Sequence, residues 1–121
     1  MANAESFTVS AFDFLDSFLI LISLFVIFAM TPAELAVLPD PADLSPEAKA
    51  LWHAKRGEWE DSHNITQDIH TQMGSWIHAL LHVIERDQWN ADYWFSKAGK
   101  PSHGPAQIDK LWDEIASAVL S

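Results

Sequence analysis

A chain of 121 residues with 49% hydrophobic and 20% charged residues has the makeup of one ordered domain. Its 17 acids against 7 Lys and Arg leave a formal net charge of −10, which repels a phosphate backbone and argues against nucleic acid as a partner. There is no Cys, so disulfides, thiolate zinc sites and Cys nucleophiles are excluded as well.

The first third is a different kind of polypeptide from the rest. Residues 1–48 carry seven acids and no Lys or Arg, whereas residues 49–121 hold ten acids and all seven bases. From Ser17 to Ala33 there are 17 uncharged residues, apolar all round any helix they form. At 1.5 Å per residue they cover roughly 25 Å, the lower limit for spanning a bilayer core. Asp13 and Asp16 suit the N-terminal end of such a helix and Pro32 its other end. A cleavable signal fits less well, because the leading region is not basic and Ala29-Met30-Thr31 is a poor cleavage site. The expectation is one hydrophobic helix at residues 14–30, associated with a membrane. Lys49, Lys55 and Arg56 lean toward a cytoplasmic C-terminal domain. Its competitors are a buried or dimerising core helix, and a leader outside the native protein, translation from Met30 then giving a soluble cytoplasmic module. The domain reading is therefore 1–30 for this helix, 31–45 for a Pro-rich linker with one short turn at residues 33–37, and 46–121 for a helical domain.

Ser45, Pro46 and Glu47 open the next helix as N-cap, first residue and first-turn acid, and Gly57 closes it in the left-handed conformation. A thin helix over residues 59–70 follows, with Ser62, Ile65 and Ile69 inward. The Gly74-Ser75 break leads into a third helix ending near Arg86. Asp87 caps a fourth, residues 88–98, drawing its buried residues from Trp89, Tyr93, Trp94 and Phe95; Gly99 and Pro101 stop it. From Pro105, the apolar residues Ile108, Leu111, Trp112, Ile115 and Val119 form one stripe, with Asp109, Lys110, Asp113, Glu114 and Ser117 opposite.

Residues 50–62 align with residues 79–91 at a period of 29, setting Ala50-Leu51-Trp52-His53 over Ala79-Leu80-Leu81-His82 and Ser62 over Ala91. Self-similarity at this spacing marks stacked helical repeats. With these small packing residues, and with Phe95 and Ala98, the pattern resembles the tetratricopeptide repeat. It departs from it in its short period, in Arg86 where a turn Gly is usual, and in lacking a Phe in the first copy; Arg86 is expected to end its helix differently from Gly57. Residues 44–121 also resemble a group of small bacterial helical proteins through Trp52-His53-Ala54, Arg56-Gly57, Trp59, His63, Gly74, Trp76, His78-Ala79, Leu81-His82, Glu85, Asp87, Asn90-Ala91 and Tyr93-Trp94-Phe95. That resemblance implies a fold and no activity. The expected fold is all-α: two tetratricopeptide-like helix pairs and a C-terminal capping helix, preceded by the hydrophobic N-terminal helix.

His78 and His82 stand i, i+4 on one helix, with Glu85 a turn later, so two imidazoles and a carboxylate share a face. Such a set can hold Zn or another divalent ion, although it lacks the H-E-x-x-H order that inserts a general base. Structural packing and hydrogen bonding is the first reading of these histidines, and a metal site at His78, His82 and Glu85 the second. His63, Asp68 and His70 form another polar group, which the fold can bring toward His78; surface exposure is its ordinary explanation. No phosphate loop, nucleophile elbow or nucleotide fingerprint occurs, so no catalytic residue and no cofactor is assigned. Asn64-Ile65-Thr66 is a chance match to a glycosylation acceptor. Most of the six Trp belong to the core, and one or two left in a groove would form a surface for a peptide. The leading expectation is thus a helical-repeat interaction module with a protein or peptide partner, membrane-tethered, with a second copy of the chain as a further partner. A metal-binding protein or small metal-dependent enzyme, and a structural subunit of a membrane complex, are the alternatives.

Overall fold

The computed structural model describes residues 30–121; the hydrophobic helix expected at residues 14–30 falls outside them apart from its last position. Among the described residues every regular element is helical, and no helix is long and apolar enough to cross a membrane. Residues 31–121 pack as one unit.

The linker contributes more structure than one turn. Thr31 and Glu34 form a capping box around Pro32, which opens helix α1, Pro32–Val37. Leu35 is fully buried, and α1 rests on the next helix and on the last. Helix α2, Pro46–Lys55, starts as expected, with the Ala48 amide donating to Ser45 Oγ. Gly57, at φ +77°, ends it: the Glu58 amide donates to the His53 carbonyl and the Gly57 amide to that of Ala54, the paired bonds of a Schellman turn.

Helix α3, Trp59–Thr66, is four residues shorter than the pattern over 59–70. Thr66 Oγ1 donates back to the Ser62 carbonyl at 2.7 Å, and the chain then turns through Gln67 to Thr71. Ser62 is buried because its hydroxyl donates to the Ala50 carbonyl on α2, tying the first pair together. Helix α4, Gln72–Ile84, runs straight through Gly74 and Ser75, so there is no break. Thr71 caps it by accepting from the Gly74 amide. Glycine is needed there for proximity: a Cβ on Gly74 would lie 2.1 Å from the Ile69 carbonyl oxygen.

Helix α4 is the centre of the molecule. Residues 76–83 are all buried, and α2, α3, α5 and α6 each pack on it. Ile77, Leu80, Leu81 and Val83 have no exposed surface, so truncating any of the three larger ones to Ala costs about 2–5 kcal/mol. At its end Arg86 sits at φ +67°, with the Asp87 amide on the His82 carbonyl and the Arg86 amide on that of Val83. This is the Gly57 turn again, not the different ending expected of an Arg. The two capping bonds hold a residue that has a Cβ in the left-handed region, at a cost of about 1 kcal/mol.

Helix α5, Gln88–Ala98, has the bounds that Asp87 and Gly99 indicated. It buries Ala91, Phe95 and Ala98 and leaves Trp89, 84% exposed, and Tyr93 facing water. A 3-10 turn, Pro105–Gln107, leads into α6, Ile108–Leu120. Leu111, Trp112, Ile115 and Ala116 face inward against α2 and α4, and Trp112 Nε1 donates to the Leu51 carbonyl at 2.8 Å.

Candidate metal centre

Where α3 crosses α4, three imidazoles meet. His78 and His82 project from one face of α4, and their rings stack with centroids 5.0 Å apart and planes 13° from parallel. His63, from α3, points its Nε2 at His78 Nε2 across 3.1 Å. Each of the three offers a ring nitrogen within 4.8 Å of the other two. A tetrahedral zinc ion bound at about 2.0–2.1 Å separates its nitrogen ligands by about 3.3 Å, so the His63–His78 spacing is close to that of two ligands sharing one ion.

The surroundings hold these rings in place. Trp94 lies flat on the free face of His78 at 3.8 Å, and Trp59 lies flat on His63 at 4.7 Å. Trp59 is itself pinned, its Nε1 donating to the Leu81 carbonyl at 2.7 Å. His82 Nδ1 is 2.6 Å from Glu85 Oε1, so the carboxylate accepts its proton and leaves the lone pair on Nε2. A carboxylate behind a histidine is the usual orienting partner of a metal-bound imidazole. His78 and His82 are each 7% exposed, and the pKa of His78 is lowered to about 4, by burial first and then by the positive charges of His82, His63 and Lys97. At neutral pH His78 is therefore neutral, the state in which it can ligate.

The expected set of His78, His82 and Glu85 is thus arranged in two layers. His63 joins the two histidines, and Glu85 bonds Nδ1 of His82. Of the other polar residues grouped with His63, Asp68 is exposed and His70 is exposed at the rim of a neighbouring cavity. The walls supplied by Trp59 and Trp94 carry no signal in the sequence beyond aromatic character. Three imidazole ligands leave a tetrahedral ion one position for water or another ligand, the arrangement in which zinc lowers the pKa of bound water to about 7. No family model, curated protein or solved structure matches this chain.

Proposed function

We propose that this is a small metal-binding protein, a helical scaffold that holds one divalent transition-metal ion on His63, His78 and His82 with its fourth position left for an exchangeable ligand. The supporting observation is the convergence of three imidazole nitrogens from two helices, with the Glu85 carboxylate bonded to Nδ1 of His82. Imidazole nitrogens without thiolates suit zinc, copper, nickel or iron over calcium or magnesium. The test is a zinc titration of the chelator-treated full chain against a chromophoric competitor. One equivalent should bind, and His63→Ala and His78→Ala should each weaken it roughly a hundredfold, with His53→Ala unchanged. Equal affinity in His78→Ala would overturn the reading.

A second reading takes the two helix pairs as tetratricopeptide-like repeats of an interaction module, tethered to a membrane through residues 14–30. It is favoured by Trp89 and Tyr93, which stand i, i+4 on α5 with 84% and 53% of their surface exposed. The partner is a protein or peptide that covers these rings. Trp89→Ala should then abolish co-purification of that partner without lowering the melting temperature, and retention of the partner by the variant would count against it.

A further inference from the structure

A cavity of about 310 Å³ opens beside His78, between the start of α4 and the end of α5. Its walls include Thr71, Gln72, Ser75, His78, Trp94 and Lys97, and contain no Asp or Glu. In a chain of net charge −10, an acid-free cavity with a lysine at its edge is a place where an anion meets no carboxylate in the lining. Lys97 reaches over the Trp94 ring, its Nζ 5.0 Å from the centroid. On the opposite side is the first turn of α4, a helix of 13 residues whose N-terminus carries partial positive charge. Thr71 Oγ1 satisfies the Gly74 amide, and the Gln72 amide has no acceptor among the described residues. A second, independent feature points to a ligand. His78 is more than nine-tenths buried and lines the cavity, yet its one hydrogen bond runs through Nε2 to His63, leaving Nδ1 without a protein partner.

We propose that this cavity binds a small oxyanion, of the carboxylate or phosphate class. Lys97 and the α4 N-terminus supply the charge, and Ser75 and His78 Nδ1–H supply directed donors. Trp94 forms an apolar wall that excludes water from one side. The inference stands on the cavity and does not rest on the metal reading, although the anion would lie against a histidine of the proposed metal centre.

The test uses the full chain freed of metal by chelator, in a buffer without competing anions. Inorganic phosphate and acetate are titrated separately, and the imidazole nitrogen resonances and the heat of binding are recorded. One of the two should saturate a single site, shift the His78 Nδ1 resonance and leave that of His53 in place; which one does so assigns the class. Lys97→Gln should weaken binding roughly tenfold, and Ser75→Ala by a smaller factor. Absence of a saturable shift at His78 with either anion up to tens of millimolar, or unchanged affinity in Lys97→Gln, would overturn the proposal. Because metal is removed beforehand, loss of zinc binding in the earlier titration would leave this result standing, and the reverse.

Discussion

In the first helix pair His53 lies half-buried at the end of α2, its Nδ1 3.0 Å from Glu58, with the Trp52 ring edge-on and Arg56 across Trp52. His82 holds the position 29 residues on, in a turn with the same two capping bonds, and it too has a carboxylate on Nδ1. Only His82 belongs to a cluster of histidines. The position one turn before His53 is Lys49, whereas the position one turn before His82 is His78, and α3 supplies His63 to the second pair alone. The scaffold position thus provides an oriented imidazole in both pairs, and the histidine cluster forms at the seam where α3 meets α4. Each way of disturbing the seam should affect the second pair and spare the first.

The largest effect is expected at Gly74, where the loop after α3 touches α4. Gly74→Ala drives a Cβ into the Ile69 carbonyl and should cost about 3 kcal/mol or more, seen as a lower urea midpoint. The same substitution at Gly57, where a Cβ meets nothing within 4 Å, should cost only about 1 kcal/mol from its left-handed backbone.

Acid comes next. His78 has a folded pKa of about 4 against an ordinary 6.5, so its contribution to stability is complete above pH 6.5 and is lost as pH falls toward 4. Burial is the largest cause, and the neighbours His82, His63 and Lys97 add to it by opposing a further positive charge. The metal-free protein should lose about 2 kcal/mol between pH 7 and pH 5. Denaturant melts of His78→Phe should show a much smaller loss over the same interval; an identical pH dependence would place the effect elsewhere.

A third effect separates the two carboxylates. Glu85→Gln should weaken zinc binding about tenfold by releasing His82 from its fixed orientation, while Glu58→Gln leaves it unaltered. The smallest effect is at the turns. Arg86→Gly should raise stability by about 1 kcal/mol, a rise of several degrees in melting temperature, because it relieves a left-handed non-glycine residue.

Those turns also show what the sequence could convey. The limits of α5 were legible because Asp87, Gly99 and Pro101 act through local backbone chemistry. Arg86 was not, since an arginine in the left-handed region is unfavourable alone and is held there by bonds to the His82 and Val83 carbonyls. Gly74 read as a break because a Gly-Ser pair usually is one; its real cause, the approach of Ile69, is an encounter through space. The early end of α3 is accompanied by a local bond instead, Thr66 Oγ1 donating back one turn to the Ser62 carbonyl. For the candidate site, the i, i+4 spacing of His78 and His82 was visible in the sequence. The neighbour His63 was only one arrangement among several, because choosing it requires knowing how α3 lies on α4. Trp89 reads in the sequence as one of the apolar residues of α5, and only the packing of that helix shows that it faces water.

The central claim, a single ion shared by His63, His78 and His82, is tested most directly by the visible spectrum of the full chain loaded with cobalt(II). Three imidazoles and one exchangeable ligand should give intense tetrahedral bands at one equivalent, retained in His53→Ala and lost in both His63→Ala and His78→Ala. A weak octahedral spectrum, or tetrahedral bands that survive His63→Ala, would contradict the account.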